Sequence, residues 1–298
     1  MMTAFTKAQA NRAMSEFQAG LAVRVAGEHV PVWRILGHNP GPMTGLGTNS
    51  YLIGEHCRCL LDPGPDDDRQ LASLLAAISD GGLKYILATH THGDHSPAAL
   101  RLQQATGATL VGMPAAASRG QDHSFQPEQR WQHGDLLDCD DYSIELVHTP
   151  GHVSNHICYL LREEQLLFTG DHILQGSTSV ILPPDGEMSA YMKSLRYLQG
   201  LQLRFLAPGH GAIMDDPAAE IAGLLAHRLR REQKTVAGLG QLGNSDLDGL
   251  VETVYDDIPG HLLPLARQTL LAHLIKLEQE GRARREQDRW YLVTAESS

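Results

Sequence analysis

Between residues 90 and 95 the chain reads HTHGDH, two histidines, an aspartate and a third histidine within six residues. Imidazole nitrogens and carboxylate oxygens are the donors that borderline divalent metals take up. His90 and His92 stand two apart, so on an extended backbone their rings project to the same side and can share one ion. Asp94 and His95 then turn away and can serve a second. Three more candidates stand beside glycine at the ends of apolar runs: His152 in HTPGHV, Asp171 in LFTGDH and His210 in LAPGHG. A small neighbour lets the backbone turn sharply and come close to an ion. Five histidines and two aspartates of this kind suit a pair of ions that share one carboxylate with room for a bridging water, the equipment of a metal-dependent hydrolase.

The chain has 16 histidines, so most need another explanation. His29, His38, His56, His123, His133, His227, His261 and His273 read as surface or hydrogen-bonded core residues. His148, His156 and His172 lie near the ligand segments and can steady them. Cys57, Cys59, Cys139 and Cys158 form no C-x-x-C pair and no disulfide framework, and read as buried thiols.

These donors need rigid elements behind them. Alternating apolar runs predict strands at Val30–Gly37, Asn49–Gly54, Arg58–Asp62, Tyr85–Thr89, Thr109–Met113, Ser143–His148, His156–Leu161, Leu166–Thr169 and Phe205–Ala207. Helices are expected at Asp68–Ser79, Pro97–Ala105, Ser189–Leu198 and Pro217–Val236, with Asp68 as a cap and Pro97 and Pro217 in first turns. The breaker-rich AGLGQLGNSD at 237–246 reads as the end of the first domain. Beyond it come helices at Leu247–Tyr255 and Leu262–Glu280 and a basic hairpin, the outline of a winged helix.

With 298 residues, 42% hydrophobic and 20% charged, the chain can bury a large core and a small one. The expected organisation is an N-terminal extension over 1–29, a catalytic domain over 30–240 and a winged-helix-like domain over 241–298. No apolar run is long enough to span a membrane and the N-terminus lacks a leader's apolar stretch, so a cytoplasmic protein is expected. Residues 1–221 hold 14 basic against 24 acidic side chains, a balance that repels polyanions at long range. Two basic clusters, HRLRREQK at 227–234 and GRARREQDR at 281–289, read as the solvated faces of a helix and a hairpin, with a nucleic-acid patch as the alternative.

On these motifs the chain resembles the metallo-β-lactamase superfamily. The superfamily's H-x-H-x-D-H motif stands here as His90, His92, Asp94 and His95, and its later ligands match His152, Asp171 and His210 in order. The resemblance implies an α+β fold, a four-layer αβ/βα sandwich with the metals at one edge. It implies that His90, His92 and His152 hold the first ion and Asp94, His95 and His210 the second, with Asp171 bridging. Two zinc ions are expected, with iron or manganese as alternatives, and a bridging hydroxide that Asp94 orients for attack. Aspartate rather than cysteine at 94 points away from the β-lactamase subclass with a cysteine ligand. HNPGPMTGLGTNSYLIG (38–54), AYMKSLRYL (190–198), PGHG (208–211), HRLRREQ (227–233) and the C-terminal segment further resemble the β-lactamase-like protein 2 subfamily, over roughly residues 30–293. That resemblance makes Tyr191, Lys193 and the 176–179 loop with Thr178 candidates for substrate contact, and His172, directly after Asp171, is a further candidate. Two reactions are expected to compete: hydrolysis of a small ester, thioester or lactone, and phosphodiester cleavage in single-stranded RNA. A non-catalytic nucleic-acid binder is a third reading, and the C-terminal module could instead be a lid or a homodimer element.

Overall fold

The computed structural model describes residues 17–293, which divide into two compact units. The first comprises 17–148, 157–177 and 203–215; the second comprises 149–156, 178–202 and 216–293.

Two sheets build the first unit. One has six strands in sequence order, β1 (Ala22–Ala26), β2 (Val32–Leu36), β3 (Asn49–Ile53), β4 (Cys59–Leu61), β5 (Tyr85–Leu87) and β6 (Thr109–Val111). Its first three pairings are antiparallel, and β4–β5 and β5–β6 are parallel. The other sheet runs β11 (Phe205–Pro208), β10 (Leu166–Gly170), β9 (Ile157–Leu161), β8 (Ser143–His148), β7 (Leu136–Asp138), antiparallel except for β10–β11. Strand alternation decides which side chains meet. Val32, Tyr51, Ile53, Leu61, Leu87 and Val111 of the first sheet face Ile144, Leu146, Tyr159, Leu161, Phe168 and Ala207 of the second. The alternate residues Ile35, Leu52, Leu60, Ile86 and Leu110 pack under α1 (Asp68–Ile78) and α2 (Ala98–Thr106) through Leu74, Ile78, Ala99 and Leu102. The cap of α1 is Asp67, one residue earlier than expected; it accepts from the amides of Arg69 and Gln70. Strands β1 and β7 were not expected. Strand β1 is exposed or half-exposed throughout and β7 is three residues long with only Leu137 buried, so neither offers the apolar run by which a strand is read. The cysteines are buried and none is in a disulfide, and the structure brings Cys59 and Cys139 to 3.6 Å between sulfurs, a meeting of two sheets that spacing could not reveal.

In the second unit α3 (Met188–Gln199) and α4 (Pro217–Leu242) are joined by α5 (Leu247–Val254), α6 (Leu263–Gln279) and a three-stranded sheet of β12 (Asn244–Ser245), β14 (Arg289–Leu292) and β13 (Ala283–Glu286). Leu239, Leu250, Val254, Leu270, Leu274 and Trp290 form its core. Helix α4 runs on through the segment expected to break it. Gly238 lies where a Cβ would stand 3.1 Å from Leu250 Cδ1, so close helix packing selects the glycine and sustains the helix. The solvated reading of 227–234 fails at two positions and holds for Leu229, Arg230 and Gln233. Arg228 and Glu232 are 1% and 6% exposed, and Glu232 binds Lys276 and Arg282, each at 2.6 Å. Those partners come from α6 and the hairpin, beyond the reach of a reading based on local sequence. No helix among the described residues is long and apolar enough to cross a membrane.

Candidate metal centre

The donors stand where strands end. His90 and His92 follow β5, Asp171 follows β10 and His210 follows β11, and each strand is apolar and buried, so its last residues are held as firmly as the core. The backbone of β11 must come very close: a Cβ on Gly209 would lie 2.8 Å from His95 Cε1 and 2.9 Å from Asp171 Oδ1. Only glycine fits there.

Four donors of the first unit converge. His95 Nε2 stands 3.5 Å from Asp94 Oδ2 and 3.4 Å from Asp171 Oδ1; His210 Nε2 stands 3.3 Å from each of the same oxygens. Two ligands on one tetrahedral ion at ~2.0–2.2 Å are themselves roughly 3.3–3.6 Å apart. The spacings therefore match donors around a cation. His95 Nε2 is fully buried and makes no hydrogen bond among the described residues, an expensive state for a polar atom with no ion to meet. His90 joins through a tilted ring contact with His95, centroids 4.1 Å apart and planes at 45°, and its Nε2 lies 2.9 Å from His92 Nδ1. The chemistry of the donor set and its spacing both fit a metal.

Hydrogen bonds fix which ring nitrogen each histidine presents. A carboxylate only accepts, so His95 Nδ1 donates to Asp62 Oδ2 at 2.9 Å. The Thr89 hydroxyl gives its one proton to Asp62 Oδ2 at 2.8 Å and hence accepts from His90 Nδ1 at 3.0 Å. His210 Nδ1 donates to the Gly47 carbonyl. In the second unit His152 Nδ1 donates to the Val180 carbonyl at 2.6 Å. In all four the lone pair is left on Nε2, the orientation that an outer partner imposes on a metal-binding imidazole.

Asp62 is the residue that reading by motif missed. It is 1% exposed at the end of β4, takes the Thr89 amide at 2.7 Å as well, and so orients two histidines at once. The only trace in sequence is a carboxylate closing an apolar strand, CLLDPG at 59–64.

Charge in the cluster is strongly coupled. Burial opposes ionising Asp94, but His95 and His210 beside it prevail and hold its carboxyl down at about 2. Burial likewise opposes protonating His95 and His210, and the neighbouring aspartates override it, raising both. The aspartates thus create a place for positive charge that either protons or a cation can fill.

The residues expected at the substrate fare differently. Tyr191 and His172 are both 0% exposed and offer no surface to a substrate; the Tyr191 ring is covered by the Arg228 guanidinium at 5.1 Å. Their places in α3 and behind β10 turn them inward. Lys193 is exposed and Thr178 half-buried.

Comparison with known proteins agrees with this geometry. Residues 43–210 match the metallo-beta-lactamase superfamily model, and 247–290 match the beta-lactamase associated winged helix domain. The chain is 30% identical over 273 residues to the atrochrysone carboxyl ACP thioesterase of Cryptosporiopsis sp., covering 84% of this chain and 80% of that protein. It is 32% identical over 269 residues to the beta-lactamase-like protein 2 homolog of Drosophila melanogaster, covering 85% and 89%. A beta-lactamase domain protein from Burkholderia ambifaria superposes with a TM-score of 0.76 at 20% identity, over 92% of this chain and 94% of that one, a likeness of fold. The chain belongs to the metallo-beta-lactamase superfamily of hydrolases, with an α+β fold and a winged helix domain that follows it.

Proposed function

We propose that the chain is a binuclear zinc hydrolase that cleaves an ester-like bond, with a thioester of an apolar acyl group as the preferred substrate. In this reading His90, His92 and His152 hold one ion, Asp94, His95 and His210 the other, and Asp171 bridges; the place of His152 follows from the order of ligands along the chain. Nitrogen and oxygen donors suit zinc and also accept iron or manganese. When bound, such a centre supplies an activated water and polarises the carbonyl under attack. Asp94, ionised at neutral pH, orients that water towards the substrate. The water oxygen bonds to the carbonyl carbon, the carbon–sulfur or carbon–oxygen bond breaks, and the leaving group departs as thiol or alcohol.

The observation that carries the acyl reading is a trough of 340 Å³ with His210 in its wall. Phe17, Leu36, Pro42, Met43, Leu46 and Leu174 line it, and no lysine or arginine is among the described residues that do. Met43 and Leu46 are 62% and 60% exposed, an apolar rim with no evident structural use. A hydrocarbon chain gains by entering such a place, whereas a polyanion finds no cation in it. The name of the Cryptosporiopsis relative, an ACP thioesterase, points the same way.

RNA cleavage is the competing reading, because of the winged helix and its arginines. Those arginines are engaged, however: Arg282 with Glu232 and Glu280, Arg284 with Glu286, Arg285 with Asp288 and Arg289 with Asn244. The deciding experiment measures bound metal and then turnover of an acyl thioester, an aryl ester, a bis-aryl phosphodiester and labelled single-stranded RNA, with His92→Ala as control. Thioester turnover that rises with acyl length and vanishes in the variant is expected. RNA cleavage that falls steeply with salt and needs His92, with no ester turnover, refutes the acyl reading.

A further inference from the structure

Arg228 is the largest fully enclosed side chain among the described residues. A guanidinium is always charged and is seldom buried without a carboxylate, yet among the described residues Arg228 has none, and its Nε makes no hydrogen bond. Its Nη2 instead donates to the Ser179 carbonyl, and its plane lies over the Tyr191 ring. The very next carbonyl in the chain, that of Val180, receives the proton of His152 Nδ1. The loop that carries His152 is also pinned to α3: Ser194 Oγ donates to the Pro150 carbonyl and the Glu187 amide donates to the Gly151 carbonyl, each at 2.8 Å. Gly151 lies so close to Tyr191 that a Cβ would stand 2.3 Å from the tyrosine Cα.

We propose that Arg228 is a positioning residue for the metal centre, acting through the Ser179–Val180 segment to fix the direction in which His152 presents Nε2. The inference rests on the reading of His152 as a ligand. A backbone carbonyl on a loop turns easily unless something holds its neighbours. A charged donor clamped on an aromatic ring is a firm hold, because the charge strengthens the hydrogen bond and the ring removes the freedom of the arm. This also explains why a costly buried charge stands in a helix face that sequence pattern assigns to solvent.

The test compares zinc affinity by chelator competition, and the visible spectrum of the cobalt-substituted protein, in the wild type, R228M, R228K, His152→Ala and the two double variants. In the otherwise wild-type protein R228M should weaken the tighter-responding ion about 10–100-fold and shift the cobalt bands, as loss of an outer partner does. R228K, which keeps the charge but loses the planar fork, should fall between. In the His152→Ala background neither change should matter beyond about twofold, because the route from Arg228 to the ion is already cut. An equal loss in both backgrounds, or no loss in either, overturns the proposal; R228K alone carries the comparison if R228M does not fold. His152→Ala with unaltered affinity and spectrum would instead overturn the ligand assignment itself.

Discussion

Replacing Asp62 with asparagine should weaken the metal centre without unfolding the protein. Asp62 has φ 49°, a left-handed conformation that asparagine tolerates and alanine does not, so asparagine isolates the chemistry from the backbone. The carboxylate accepts from the Thr89 amide at 2.7 Å, the Thr89 hydroxyl at 2.8 Å and His95 Nδ1 at 2.9 Å. An amide has one oxygen and two N–H donors, so an asparagine oxygen kept on Thr89 turns its NH₂ towards the His95 proton. Two donors then face each other, and His95 must tilt or move its proton to Nε2, the atom meant for the ion. Through Thr89 the same change loosens His90. Loss of such an outer partner costs about 10–100-fold in metal affinity, or roughly 1.4–2.7 kcal/mol. The assay is competition for zinc against a chromogenic chelator, with thermal melting of the metal-free variant beside it. Affinity within twofold of wild type would refute the claim that Asp62 orients these rings. A metal-free protein that no longer melts cooperatively would show that Asp62 holds the fold rather than the site.

Gly209→Ala should abolish metal uptake while leaving much of the fold, since its Cβ would collide with His95 and Asp171 at 2.8 and 2.9 Å; normal stoichiometry by elemental analysis would contradict this. His273, 0% exposed on α6, is held neutral first by burial and then by Arg228 and Lys276 nearby, with its proton affinity brought down to about 3. The unfolded chain binds that proton near pH 6.5 and the folded chain does not, so stability falls as pH drops from about 6.5 towards 3, by about 2 kcal/mol per group at pH 5. His273→Leu should flatten that part of the profile in urea melts at pH 7 and pH 5, and an unchanged slope would rule out His273 as its source.

The sequence alone picked out the candidate donors in outline, because a metal site is written in residue types that have few other uses at such spacing. HTHGDH, and the single donors His152, Asp171 and His210 beside glycine, could be read without any fold in view. The apolar strands β2 to β6 and β8 to β11 were legible for the related reason that burial on the sandwich leaves its pattern in the chain. Strand β1, half exposed, and β7, with Leu137 alone buried, left too little to read. Tertiary structure decided what holds the donors. Asp62 reaches His95 across 33 residues and Arg228 reaches Ser179 across 49, and neither contact has a local signature. It also turned Tyr191 and His172 inward and buried Arg228 and Glu232 within HRLRREQ. A charged residue reads as solvated until its partners are known, and those partners come from elements that only folding brings together.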